Sequence, residues 1–260
     1  MLRYMHAAWL RGGPFAAALA SAVLCAHGVE VTTLPAPTGA GIERGVAVLR
    51  CATDVRGVYW ESRGAVLEVG VGGRADVVLT ARHGLPASSD AVLSDCRAIA
   101  RGKRYPVEAL WRSPTIEADW QSDWAVLLTR GLGDQIRRLR PGYMTPAALA
   151  RLVTEQAPVR LVLRYGDETQ SDCHLEQSPD AHAPLVLNTC VSYAGLSGTP
   201  LIAMIEGQPI VIATLVGSRL EWDGTRFKSG SIAHALDLDV AAAIAAAVAR
   251  ARATTTRQTR

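Results

Sequence analysis

An all-β fold follows from three features of the sequence. Short valine-rich runs, several alternating apolar with polar residues, recur in both halves of the chain. Clusters of Gly and Asp separate them. Helical spacing appears once in the interior and once near the C-terminal end. The 260 residues can bury a large core as one big domain or two small ones.

Taken in order, VEVTTLPAPTGAG (29–41) is rich in Pro, Thr and Gly and reads as a linker or pro-segment. Strands are then expected at Val46–Arg50, Ala65–Val71, Ala75–Ala81, Tyr105–Trp111 and Trp124–Thr129, the last almost continuously apolar. In RPGYMTPAALARLV, Thr145 as N-cap and Pro146 at the first helical position predict a helix connecting two β units. Strands resume at Val159–Tyr165, Ser171–Gln177 and Pro184–Thr189. Thr199–Ile205 and Pro209–Gly217 predict a hairpin across EGQ, and Ser231–Leu236 a last strand. Asp237 or Asp239 then caps an alanine-rich helix from Val240 to about Ala253. The units are of similar size, and the strand pattern fits two packed barrels or a sandwich.

The first residues carry Arg3 and Arg11 ahead of the apolar run PFAAALASAVLCA, with small residues at Ala26 and Gly28. This is the pattern of a secretory signal peptide over residues 1–28, too short to span a bilayer comfortably. Bulky Leu24 argues against lipid attachment at Cys25. The net charge of +3 is spread along the chain, which argues against a nucleic-acid stripe. The terminal ARARATTTRQTR reads as a basic tail. The expected location is therefore the periplasm or outside the cell.

Export into an oxidising compartment makes the cysteines structural. With Cys25 lost in the leader, Cys51, Cys96, Cys173 and Cys190 remain. Three pairings exist, and the local one joins Cys51 to Cys96 and Cys173 to Cys190. Zinc at Cys173, His174, His182 and Cys190 is the rival, but no CxxC or HxxxH spacing supports it. No metal or organic cofactor is expected.

A serine hydroxyl needs a base to take its proton, an acid to orient that base, and donors for the developing oxyanion. His83 ends the valine-rich VVLTARHG, where a strand end can hold a ring at a cleft. Asp123 opens DWAVLL, an acid at the mouth of a buried strand. Asp119 competes for that role, but AVLL follows Asp123 almost directly. Ser197 stands in GLSGTP, where Gly195 lets the backbone turn so that the amides of 195 and 197 converge. His174, His182 and His234 are read as structural or exposed. A G-x-S-x-G elbow is excluded, because Thr199 stands two residues after Ser197.

These three motifs resemble those of the chymotrypsin-like (trypsin-like) serine peptidases. VVLTARHG resembles the histidine motif, DWAVLL the aspartate motif and GLSGTP the serine motif, in that family's order. Asp123 follows His83 by 40 residues and Ser197 follows Asp123 by 74, a spacing similar to the compact bacterial branch. The resemblance covers roughly residues 42 to 240. It implies two six-stranded antiparallel β-barrels with the site between them, here followed by a C-terminal helix. The expected boundaries are 42–135 for the first barrel, 136–158 for the connection, 159–240 for the second barrel and 241–260 for the helix and tail. It implies His83 as base, Asp123 as its orienter, Ser197 as nucleophile, and the amides of Gly195 and Ser197 as oxyanion hole.

The resemblance also places a specificity pocket at residues 191–194 and 215–218, with Ser192, Leu215 and Gly217 in it. No acidic residue lies at its base, which disfavours Arg or Lys, and ATLVGS lacks the histidine of glutamate-specific members. A small or apolar side chain is preferred. Arg82 stands where the family usually has alanine, Gly84 where many members have cysteine, and Leu196 where a polar residue is common. Members activated by a freed N-terminal amine carry aspartate at the last position, so that switch is absent in its usual form. The implied function is an exported serine endopeptidase acting on a polypeptide, with no nucleic-acid partner and no membrane span once the leader is removed. The alternatives are a silent member of the fold that binds a protein, and a β-rich binding module with a chance serine motif.

Overall fold

The computed structural model describes residues 43–70, 75–113, 122–164, 168–178, 184–222, 225 and 227–258. The expected leader and linker, Asp119 and His182 lie outside the described residues. Strands β1 (Val46–Ala52), β2 (Tyr59–Leu67), β3 (Ala75–Thr80), β4 (Cys96–Ala100), β5 (Lys103–Arg112) and β6 (Ala125–Arg130) close into an antiparallel barrel. Its order is β1-β2-β3-β6-β5-β4, and β4 returns to pair with β1. Helix α1 (Ser89–Asp95) precedes β4 and starts on Ser88, whose hydroxyl accepts from the Ala91 amide.

A short β7 (Arg140–Pro141) and helix α2 (Pro146–Thr154) connect to the second set of strands. Thr145 caps α2 through its hydroxyl, which accepts from the Ala148 amide at 3.1 Å. The second set is β8 (Pro158–Arg164), β9 (Glu168–Glu176), β10 (Leu185–Asn188), β11 (Pro200–Ile205), β12 (Gln208–Trp222) and β13 (Phe227–Ala235). These run in the order β11-β8-β9-β10-β13-β12, and β12 closes the barrel on β11. β7 adds in parallel to β12. Two six-stranded antiparallel barrels therefore stand in sequence, the architecture of a chymotrypsin-like fold.

Each barrel has a hairpin with a two-residue turn of positive φ. Arg101 and Gly102 (47° and 76°) join β4 to β5, and Glu206 and Gly207 (50° and 73°) join β11 to β12. That backbone twist matches the right-handed twist of the flanking strands.

Three buried layers hold the molecule together. Leu49, Val66, Val78, Val92 and Leu127 fill the first barrel. Leu161, Leu175, Leu196, Leu201 and Leu215 fill the second. The third lies between them, where Leu67, Val77, Leu79, Val126 and Leu128 meet Val162, Ile202 and Val211. Helix α3 (Leu238–Gln258) seals that layer with Val240, Ile244, Ala247 and Ala251. Asp237 caps it, accepting from the Val240 amide at 3.0 Å. β3 is thus buried on both faces along its whole length, and β6 along all but its last residue. Two covered faces explain why ADVVLT and AVLLTR read as nearly unbroken apolar runs.

Both local cysteine pairs are bonded: Cys51 with Cys96 across β1 and β4, and Cys173 with Cys190 from β9 to the segment after β10. An ion pair with one buried partner ties the connection to the first barrel. Asp76 on β3 is fully buried, and Arg138 donates to its Oδ1 from Nη2 at 2.7 Å and from Nε at 3.1 Å.

Candidate active site

The register of β3 against β6 brings two of the chemistry-bearing residues together. Thr80 pairs with Ala125 at one end of the two strands. The chain leaving β3 reaches His83 three residues later, and the chain entering β6 carries Asp123 two residues before. Antiparallel neighbours place those positions at the same end of the barrel. Asp123 Oδ1 accepts from the backbone amide of His83 at 2.8 Å, and Oδ2 lies 2.5 Å from the ring Nδ1. A carboxylate only accepts, so a neutral imidazole here would place its proton on Nδ1 and its lone pair on Nε2. Nε2 faces the Ser197 hydroxyl at 2.7 Å. The Asp123 side chain is 12% exposed and the His83 side chain 44% exposed, so the chain of bonds runs from a shielded carboxyl to a solvent-accessible ring.

Ser197 arrives on a segment of tight turns. The Leu196 amide donates to the Tyr193 carbonyl at 3.2 Å, with Gly195 in the third position at φ +91°. The Thr199 amide donates to the Leu196 carbonyl at 2.9 Å, with Gly198 in the third position at φ +83°. A positive φ there suits glycine, because a Cβ would crowd the backbone. Gly198 also has no room for a side chain, since a Cβ would collide with the Arg63 carbonyl and the Thr80 hydroxyl.

Both barrels grip this segment. From the first, the Arg63 amide on β2 donates to the Ser197 carbonyl at 2.8 Å. From the second, the Leu215 carbonyl on β12 accepts from the Gly198 amide at 2.8 Å. The Arg63 side chain is itself buried and donates to the Val162 carbonyl of β8 at 3.3 Å. Upstream, buried Asn188 accepts from the Cys190 amide at 3.1 Å and the Ser231 hydroxyl at 2.7 Å. Among the described residues, the amides of Gly195 and Ser197 have no protein acceptor, unlike those of Leu196 and Gly198.

The remaining sequence-selected residues fall as follows. Ser192 donates from its hydroxyl to the Gly217 carbonyl at 3.4 Å, joining the two stretches expected to line a pocket. The Leu215 side chain is 2% exposed in the second-barrel core, and only its backbone reaches the serine segment. His174 is exposed on β9, and His234 is buried on β13 with its Nδ1 2.8 Å from the Ala235 carbonyl.

Two departures from the resembling motifs have a physical account. A Cβ on Gly84 would collide with Ser62, so this glycine and serine fit together behind His83. Burial, and then the neighbouring Arg112 guanidinium, hold Arg82 below the usual arginine range, while Asp123 pulls it upward. Arg112 donates to the carbonyls of Pro86 and Ala87, fixing the loop after His83. Arg63 and Arg112 escaped the sequence reading. Arg63 holds Ser197 through its backbone amide, and Arg112 acts on backbone carbonyls, which leave no residue-type signal.

No protein-family model and no curated protein matches the chain. Solved structures do. A thermostable serine protease, AL20, from an extremophilic microorganism superposes with a TM-score of 0.54 at 13% identity, covering 77% of this chain and 95% of its own. The protease Anisep from Arthrobacter nicotinovorans gives a TM-score of 0.55 at 12% identity, covering 79% of this chain and 96% of its own. At such identities the likeness is one of architecture: the chain has the double-barrel fold of the chymotrypsin-like serine proteases.

Proposed function

We propose that the chain is an exported serine endopeptidase that cleaves peptide bonds through an acyl-enzyme on Ser197. The observation that carries the reading is the hydrogen-bonded series from Asp123 through His83 to Ser197, at 2.5 and 2.7 Å. In this mechanism Ser197 Oγ attacks the peptide carbonyl carbon while its proton passes to His83 Nε2. Asp123 holds the ring in the tautomer that leaves Nε2 able to accept, and it stabilises the imidazolium. The carbonyl oxygen, now anionic, takes bonds from the amides of Gly195 and Ser197, which have no other acceptor among the described residues. The C–N bond then breaks, and Nε2 returns its proton to the leaving amine. Water, deprotonated by the same imidazole, attacks the ester and frees Ser197.

A small or apolar side chain suits the residue before the cleaved bond. The Ser192 to Gly217 hydrogen bond supports this, because it spans the stretches that would otherwise part to admit a long side chain. Export is supported by two disulfides. A fluorophosphonate probe tests the proposal. The purified chain is expected to be labelled and Ser197→Ala to be unlabelled, with peptide hydrolysis falling about 10⁶-fold in the variant. Labelling that survives in Ser197→Ala rejects this nucleophile, and a folded, oxidised chain that never labels favours the silent, partner-binding alternative.

A further inference from the structure

The residue before Ser197 carries no polar group, and its environment is unlike that of its neighbours. Gly195 is exposed and Ser197 half-buried, yet Leu196 between them is 0% exposed. Its side chain belongs to the second-barrel core with Leu161, Leu175, Leu201 and Leu215. Its amide closes the first turn and its carbonyl closes the second. Every backbone group of Leu196 is therefore committed, while the amides on either side are uncommitted.

We infer that Leu196 is a positioning residue, an apolar peg whose burial holds both turns and thereby aims the Gly195 and Ser197 amides. The inference rests on the hydrolase reading above and deepens it. The physical reason lies in the two glycines. Gly195 and Gly198 both sit at positive φ, and glycine gives the backbone little stiffness of its own. A segment with a flexible residue before and after the serine needs an external constraint. Arg63 constrains the Ser197 carbonyl and Leu215 constrains the Gly198 amide, but both lie on the C-terminal side of Leu196. On the N-terminal side the Cys173–Cys190 bridge and the Ser192–Gly217 hydrogen bond hold the chain as far as Ser192, and the buried leucine side chain is the anchor next to the first oxyanion amide. A Cβ on Gly195 would meet nothing within 4 Å, so packing does not hold that residue directly. The peg is apolar and internal, so the arrangement requires no charged partner.

Misaimed amides weaken transition-state binding and leave ground-state binding largely alone. Leu196→Ala is therefore expected to lower kcat by about 10²-fold with KM within about threefold, the loss typical of one oxyanion donor. Leu196→Met, which keeps the buried apolar volume, is expected to recover most of that loss. Leu175→Ala, on β9 in the same core, is the control for general destabilisation and is expected to keep kcat. All chains are assayed well below their unfolding temperatures, with near-UV circular dichroism as the measure of folding. A folded Leu196→Ala whose kcat falls no further than that of Leu175→Ala overturns the inference. Amide hydrogen exchange over residues 193–199 decides it independently of activity. Faster exchange there in Leu196→Ala but not in Leu175→Ala supports the peg, and unchanged exchange rejects it. If the unmodified chain takes no fluorophosphonate, the hydrolase reading fails, while the exchange experiment still decides the peg.

Discussion

The two barrels hold their shares of the site by different means. The first carries His83 and Asp123 at the ends of adjacent strands, β3 and β6, that are buried almost throughout and locked in register. One pairing, Thr80 with Ala125, suffices to bring the two side chains together. The second carries Ser197 on a segment without regular structure, containing two positive-φ glycines. That segment depends on contacts from both barrels: the Arg63 amide, the Leu215 carbonyl and the burial of Leu196. The lesson is that strand register makes one half of the site rigid, while the other half is only as well placed as its anchors.

The largest effect expected from breaking this comparison comes at Gly198. In Gly198→Ala the new Cβ must displace the Arg63 carbonyl, on the strand whose amide holds Ser197, and adopt an unfavourable φ. Strain and overpacking together cost about 2–5 kcal/mol of stability. Hydrolysis is expected to fall by a further 10²–10³-fold or so, as when an oxyanion donor is lost. Chemical denaturation and steady-state kinetics measure the two losses, and near-normal values for both would show that the interface yields more easily than its geometry implies.

A test on the other barrel is Arg138→Ala. Removing the guanidinium leaves the fully buried Asp76 without its ion-pair partner, on the strand that leads to His83. The expected cost is about 3–5 kcal/mol, seen as a lower denaturation midpoint. Activity of the remaining folded protein is expected to hold, because register keeps His83 and Asp123 together. A specific collapse of kcat in Arg138→Ala, with folding intact, would show the first barrel to be less self-sufficient than its strand pairing indicates.

The smallest effect compares the disulfides. Each contributes about 2–4 kcal/mol by restricting the unfolded chain. Cys51–Cys96 spans 45 residues and Cys173–Cys190 spans 17, so loop-closure entropy favours the former by about 1 kcal/mol. Paired Cys→Ser variants, compared by thermal unfolding, test the order. Kinetics sharpen the contrast between barrels, since only the second bridge ends next to the segment leading to Ser197. Loss of Cys173–Cys190 is expected to lower activity more, although it costs less stability.

Much of this architecture was readable beforehand, and the exceptions share a character. The nearly continuous apolar runs marked β3 and β6, and Thr145 and Pro146 marked the start of α2. The EGQ hairpin lies at the turn between β11 and β12. Helix α1 and strand β4 went unseen, because SDAVLSD and CRAIA are too short for either period to accumulate. β2 begins well before Ala65, because YWESR inverts the usual pattern: Tyr59 and Trp60 are exposed while Ser62 and Arg63 are buried. β12 runs on to Trp222 past the expected Gly217, carried by pairing with β13 rather than by its own composition. The Leu215 side chain joins Ala213 in the core, and the register shifts only after it, between Leu215 and Gly217, where the strand pattern alone shows no break.

By itself the sequence determined which side chains are available, where the most apolar strands and the two longer helices lie, and where glycine permits a turn. Those properties belong to a residue and its near neighbours. Only the tertiary structure decided that the strands close into barrels rather than stack as a sandwich, because closure depends on which edges meet. It also decided what holds Ser197. The Arg63 amide, the Leu215 carbonyl and the space at Gly198 are features of backbone and shape, and a backbone N–H is the same in nearly every residue. Leu196 shows the boundary: its apolar character is written in the chain, but that it faces inward beside an exposed glycine is a consequence of packing.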